Sequence, residues 1–341
     1  MTTTPLRYLL LPVSVLRLLS SYKSFADPYL GSAALNRRGL HVWRVRRAHA
    51  LAEKRRRKLE HLVPEIDRAL FAQNGYVEKR NVLSPADHAA LLAELRALKA
   101  PAREMTEGKA VTRRIAVTPE LLAGMPTLAR FLASPEWTGL TRYIGSFDAE
   151  PIICIQTIFG EAAPEGAAGD PQTRLHMDTF HPTKKAWLFL EDVPADQGPF
   201  TYVPGSHRPT PRRLAWHKRR SVLAATAATK GGAFRVADAE LPRLHLPPRT
   251  VFAVPGNTLV VGDTFGLHAR GLSLRPSTRV EIYASMRPNP FNPLVSLDTA
   301  RLPFVRGRKQ ELSWKIEDLL VRLGLSRRIW KDVGAVNPWE R

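Results

Sequence analysis

From about residue 150 to 290 the chain is built of short apolar runs separated by glycine and proline: PIICIQTIFG, KAWLFLEDV, GPFTYVPGSH, TVFAVPGNTLVVGDTF and STRVEIYASM. They are rich in valine, isoleucine, phenylalanine and threonine. Such spacing suits antiparallel strands in a sandwich or barrel and excludes a helical bundle. A β-rich core flanked by helices is therefore expected, an α+β chain.

Helices are expected around that core. In SPADHAALLAELRALKA, Ser84 is placed to cap the helix, Pro85 to start it and Asp87 to sit in its first turn. TPELLAGMPTLARFLASPEW should form a second helical stretch, broken near Gly124 to Pro126. The basic excursion PTPRRLAWHKRRSVLAATAATKGG is expected to be partly helical. KQELSWKIEDLLVRLGL should be a helix ended by Gly324. These signals divide the 341 residues into a basic helical arm (1–62), a core domain (63–295) and a C-terminal helical tail (296–341). The single cysteine, Cys154, lies in an apolar run, so no internal disulfide forms and a buried thiol in a reducing cytoplasm is expected.

Lys and Arg exceed Asp and Glu by 51 to 31, a net charge of +20. The excess is concentrated in residues 1–60 and 205–249. Anionic lipid, nucleic acid and anionic small substrates are all compatible with it. No RRM, zinc or helix-turn-helix signature accompanies the charge, so nucleic acid is not expected as a partner. PLRYLLLPVSVLRLLS is too short and too interrupted, by Arg7, Pro12 and Arg17, to span a bilayer. It reads as a helix for the membrane interface or for packing on the domain. The next segment, RRGLHVWRVRRAHALAEKRRRKLEHL, reads as a charged helix suited to anionic phospholipid, with Trp43 as an interfacial anchor.

The chemistry concentrates in RLHMDTFHPTK. In an extended segment, His176 and Asp178 point to one face and can reach one ion. A His-x-Asp pair alone is equally a polar loop. A third donor is available at His268, which closes an expected strand, and Arg279 follows eleven positions later on the next. Two histidines and a carboxylate suit the facial triad of non-haem iron oxygenases. A zinc hydrolase is the rival, although no HExxH is present to supply its base. Arg279 in a β core needs an anion, either a dicarboxylate co-substrate or an internal acid such as Glu281. Gln156 is placed either to hydrogen-bond a co-substrate or to be a satisfied polar residue on the wall. His181 and His207 are read as a second-layer or surface residue and as a turn residue.

The succession LHMDTF, WLFLEDVPADQGPFTYVPGSHR and GDTFGLHARGLSLRPSTRVEIYAS resembles the phytanoyl-CoA dioxygenase family of Fe(II)/2-oxoglutarate oxygenases over roughly residues 65–290. The resemblance implies a double-stranded β-helix, or jelly-roll, fold. It makes His176, Asp178 and His268 the iron ligands, and Arg279 the partner of the far carboxylate of 2-oxoglutarate, with O2 as the oxidant. Related halogenases carry a small residue where this chain has Asp178, so hydroxylation is implied. Many members have a small or hydroxyl residue two positions after the distal histidine. Arg270 stands there in this chain, an extra cation near the substrate.

The basic arm and basic excursion make the pattern similar to bacterial Kdo hydroxylases, which act on the acidic inner-core sugar of lipopolysaccharide. That similarity implies an anionic, lipid-linked substrate such as Kdo-lipid A, met by a peripheral protein at the cytoplasmic face of the inner membrane. An acyl-CoA hydroxylase and a non-catalytic peripheral lipid-binding protein are the alternatives.

Overall fold

The structure, a computed structural model, describes residues 11–162, 171–228, 230–296 and 302–341. Eleven strands form two antiparallel sheets among these residues. They are β1 (Tyr76–Arg80), β2 (Ala100–Glu107), β3 (Ala110–Ala116), β4 (Ile152–Gly160), β5 (Lys184–Phe189), β6 (Phe200–Tyr202), β7 (Thr250–Val251), β8 (Thr258–Asp263), β9 (His268–Arg270), β10 (Ser277–Met286) and β11 (Lys331–Val336). The large sheet runs β1-β8-β5-β10-β4-β3-β2-β11, and the small one β7-β6-β9. Trp187, Phe189, Phe200, Tyr202, Phe252 and Tyr283 pack between them as one apolar cluster, which gives the core of a jelly roll.

The expected strands after residue 150 all form, and so does the helix Pro85–Ala97, with Ser84 accepting the Asp87 amide. The second helical stretch breaks at Gly124 into Pro119–Ala123 and Pro126–Ala133. Strands β2 and β3 were not read from the sequence. Their run EMTEGKAVTRRIA alternates charge with small residues, and the signal that marks it is Gly108, whose φ of 60° closes the hairpin. The C-terminal tail holds the expected helix, Lys309–Arg322, but also β11, which adds to the large sheet beside β2.

The sequence left the N-terminal arm either to a membrane surface or to packing on the domain, and its helix Leu40–Arg57 lies against the domain. Arg44, Val45, Ala48, Ala52, Arg55 and Arg56 are buried. The arginines survive burial because each finds acceptors. Arg44 donates to the Leu18, Ser20 and Tyr22 carbonyls, Arg55 to those of Ser146 and Asn292, and Arg56 to Ile144 and to the Asp263 carboxylate at 3.1 Å. The basic excursion is likewise structural on one face: helix Pro211–Thr226 buries Arg213, Trp216 and His217 in a cluster with Val45, Phe180 and Phe265. Trp43 stays half exposed, with its ring stacked on Phe291. Among the described residues no helix is long and apolar enough to cross a membrane. Residues 1–10 of the N-terminal apolar stretch lie outside the described residues.

Candidate metal centre

His176 and His268 exchange both backbone hydrogen bonds, N to O at 2.9 Å in each direction, so the two residues stand directly opposite one another. Their ring centroids are 4.5 Å apart. His268 opens β9 rather than closing a strand, and His176 sits at an isolated bridge, not within a regular strand. Asp178 reaches the site from the bend that follows, where its amide donates to the Thr264 carbonyl at 3.0 Å.

The turn from β8 to β9 is held from several sides. Both Thr183 and Phe265 donate their amides to Asp263 Oδ1, Tyr202 donates its hydroxyl to the Asp263 carbonyl, and Ser206 of the PGSH turn accepts the Leu267 amide. Gly266 must be glycine, since a Cβ there would fall 1.8 Å from the Tyr202 hydroxyl. Ser206 was not singled out from the sequence. The histidine beside it, His207, is buried against Phe71 rather than serving the turn.

Each ring is oriented by its own backbone. His176 Nδ1 lies 2.9 Å from the Arg174 carbonyl, and His268 Nδ1 lies 2.9 Å from that of Gly266. A carbonyl can only accept, so Nδ1 carries the proton and Nε2 presents a lone pair. Those Nε2 atoms are 4.0 and 3.7 Å from Asp178 Oδ1, and the three ligand atoms lie within 4.8 Å of one another. Donors bound to one ion at right angles at about 2.1 Å would be about 3 Å apart, so the two histidine–aspartate distances need to close by about 1 Å and no pair by more than about 2 Å. His268 Nε2 is buried with no hydrogen-bond partner, the expected state of a metal donor with its acceptor side open.

Protonation suits a cation too. Burial pushes His268 down to about 3 and lowers His176 as well, so both rings are neutral. Burial would raise Asp178, but the Lys185 and Arg287 charges overcome it and hold the carboxyl well below its ordinary value. Neutral imidazoles and an ionised carboxylate are the forms that bind a divalent ion.

Beside the three donors lies a cavity of about 640 Å³, lined by Arg114, Gln156, Arg270, Arg279, Arg287 and Trp330, among others. Gln156 sits between Arg114 on β3 and Glu281 on β10 in one row across the sheet. Its Oε1 accepts from Arg114 Nε at 2.8 Å and its Nε2 donates to Glu281 Oε1 at 2.6 Å. Arg279 donates through Nε to Glu281 Oε2 at 2.9 Å and through Nη1 to the Gly198 carbonyl, so the internal acid weighed from the sequence is its partner here. Arg114, stacked on Tyr283 and Trp330, was missed because its strand was missed. Lys185 lines the cavity, whereas its neighbour Lys184 is buried with its Nζ 3.4 Å from the Ala149 carbonyl. His181 is buried, its Nδ1 bonded to the Pro182 carbonyl. Burial lifts the Cys154 thiol to about 11, which makes it an inert core residue.

The phytanoyl-CoA dioxygenase family model matches residues 71–230. Those residues form a phytanoyl-CoA dioxygenase-like domain. A chain with this domain is an Fe(II)- and 2-oxoglutarate-dependent oxygenase that uses O2, and the buried His176, Asp178 and His268 set fits such an ion. Among solved structures, the chain is similar to the epimerase SnoN in complex with Fe3+, alpha-ketoglutarate and nogalamycin RO (21% identity, TM-score 0.42, 67% of this chain and 82% of SnoN covered). It is also similar to HygX from Streptomyces hygroscopicus with nickel and 2-oxoglutarate bound (15%, TM-score 0.39, 66% and 87% covered). A third similar structure is AviO1 from Streptomyces viridochromogenes Tue57 (16%, TM-score 0.37, 66% and 94% covered). No curated protein matches the chain.

Proposed function

We propose that His176, Asp178 and His268 hold the Fe(II), and that the oxygenase hydroxylates an anionic, lipid-linked substrate such as Kdo in the lipopolysaccharide inner core, working peripherally at the cytoplasmic face of the inner membrane. The convergence of three buried ligand atoms within 4.8 Å carries the iron assignment. When bound, iron with 2-oxoglutarate and O2 supplies the power to hydroxylate an unactivated C–H bond as the co-substrate is converted to succinate and CO2. The protein's part is positional. The Arg174 and Gly266 carbonyls fix the two rings, and Trp187, Phe200 and Ile158 give the cavity water-poor walls. The far carboxylate of 2-oxoglutarate goes to Arg279, either at Nη2 or by displacing Glu281, with Gln156 alongside.

The substrate reading is supported by charge and by exposed apolar surface. Arg114, Lys185, Arg270, Arg279 and Arg287 line the cavity against Glu107 and Asp178. Val15, Leu16 and Leu19 are exposed in a segment that Arg44 ties to the helix Leu40–Arg57, on which Trp43 is exposed as well. Purified protein incubated with Fe(II), 2-oxoglutarate, O2 and Kdo-lipid A should add one oxygen to the glycolipid. No mass gain would remove this substrate. The same cations would also meet the phosphates of an acyl-CoA; turnover of soluble acyl-CoA without membranes would favour that second reading.

A further inference from the structure

The N-terminal segment enters the site. Lys23, far outside the family-matched span, places its Nζ 2.5 Å from the backbone carbonyl of Asp178. Lys185 Nζ and Arg287 Nη2 lie 2.8 and 3.4 Å from Asp178 Oδ2, the oxygen of the carboxylate whose Oδ1 faces the two histidines. Arg235 pairs with His176 through a backbone bridge, and its charge acts on both His176 and Lys23. Four cations thus share the surroundings of one carboxylate.

This placement is fixed by the fold. Arg44 gathers the Leu18, Ser20 and Tyr22 carbonyls at 3.0, 2.9 and 2.8 Å, while its guanidinium lies 3.9 Å over Phe180, two residues after Asp178. On the other side Phe25 N donates to the Lys230 carbonyl at 2.8 Å. Gly232 accepts the backbone of Lys23 so closely that a Cβ would fall 2.1 Å from its carbonyl oxygen. Arg17 closes the segment on Asp27 at 3.2 Å.

Charge then decides what these cations are for. An Fe(II) and a dianionic 2-oxoglutarate cancel, and Asp178 offsets one of the four cations. Three positive charges are left at a partly desolvated site, where an unmatched charge is costly. Lysine and arginine together suit phosphate and carboxylate oxygens.

We infer that Tyr22–Phe25 is part of the active site, and that Lys23, Lys185, Arg235 and Arg287 form a subsite for a substrate head group bearing two or more negative charges. The inference rests on the proposed iron site and names the substrate class it serves. Lys23 and Arg287 are its specificity-determining residues. Removal of the N-terminal segment takes away part of this subsite.

The test is calorimetric titration of the anaerobic Fe(II)·2-oxoglutarate enzyme with glucose, glucuronate, glucose 1-phosphate and glucuronate 1-phosphate. The two phosphates should bind more tightly than glucuronate, and neutral glucose should give no heat. Glucuronate, with a single charge, binding as tightly as the two phosphates would overturn the subsite. Lys23→Gln and Arg287→Gln should each weaken glucuronate 1-phosphate by about tenfold or more, the loss of one charge-assisted bond. Lys23→Arg should recover most of the affinity. The visible 2-oxoglutarate–Fe(II) charge-transfer band should be unchanged in all three variants. Glucose binding as well as the phosphates, no sugar binding at all, or unaltered affinity in the Gln variants would overturn the subsite. So would loss of the band in Lys23→Gln and Lys23→Arg alike, which would make Lys23 a structural residue. A wild-type protein with no band refutes the iron site alone, and the subsite is then read from the same titration without metal.

Discussion

Replacing Arg56 by alanine tests whether the N-terminal helix is part of the catalytic domain. The Arg56 side chain is 4% exposed and bonds Asp263 at 3.1 Å, the Ile144 carbonyl at 3.0 Å and Glu53, with its guanidinium over Phe71. Asp263 in turn caps the Thr183 and Phe265 amides and so shapes the turn that delivers His268. Burial lifts the Asp263 carboxyl to about 6, although Arg56 and the two amides hold it down, so the pair is ionised at neutral pH. Breaking a buried pair costs about 3–5 kcal/mol when the orphaned charge has no escape. Here the carboxylate can take up a proton, at about 1.4 kcal/mol for the single unit between 6 and 7. Adding the lost guanidinium bonds, about 1–2 kcal/mol, gives about 3 kcal/mol at pH 7.

The sign with pH follows. In Arg56→Ala the folded-state pKa of Asp263 rises further above its unfolded value, so the variant's stability is fullest at low pH and is lost as pH climbs through the new folded pKa. The deficit relative to wild type should therefore grow between pH 6 and pH 8, by up to about 1.4 kcal/mol per unit. Urea unfolding of both proteins at pH 6, 7 and 8 measures it. A deficit below about 1 kcal/mol that does not change with pH would refute the reasoning and detach the helix from the site.

Three further outcomes are expected. His41, His181 and His207 are held at about 3 by burial, below their unfolded value, so the unfolded chain binds more protons and stability should fall as pH drops below 6.5, by about 1.4 kcal/mol per unit for each histidine; equal denaturant midpoints at pH 7.5 and 5.5 would contradict this. Gly266→Ala drives a Cβ to within 1.8 Å of the Tyr202 hydroxyl and should cost about 1–3 kcal/mol and weaken Fe(II) binding; thermal melts and metal titration would show it, and wild-type values in both would contradict it. Arg279→Ala should raise the 2-oxoglutarate KM by about tenfold or more, because it removes a charge-assisted contact; an unchanged KM would move the dicarboxylate away from Arg279.

How much of this was legible in the sequence depended on periodicity and on local geometry. The strands after residue 150 announce themselves through β-branched runs and Gly/Pro punctuation, and the donor set through residue type and order. β2 and β3 did not, because Arg103, Arg113 and Arg114 occupy inward or half-buried positions that sequence pattern assigns to solvent. These side chains are paired with Asp318, Glu104 and Gln156, partners distant along the chain in two of the three cases. The packing of the basic arm was illegible for the same reason. Arg44, Arg55 and Arg56 look like a charged helix face until backbone carbonyls from elsewhere are known to receive them. Lys23 is the clearest case, since nothing in SSYKSFADPYL points to Asp178, which is 155 residues away.

The central claim is that His176, Asp178 and His268 share one Fe(II). Anaerobic Fe(II) titration in the presence of 2-oxoglutarate, followed by the charge-transfer band, tests it most directly. The account predicts one iron per chain in the wild type, and loss of both band and tight binding in His176→Ala and His268→Ala, with the variants still folded by circular dichroism. Wild-type protein that takes up no iron, or alanine variants that bind it as tightly as wild type, would contradict the claim.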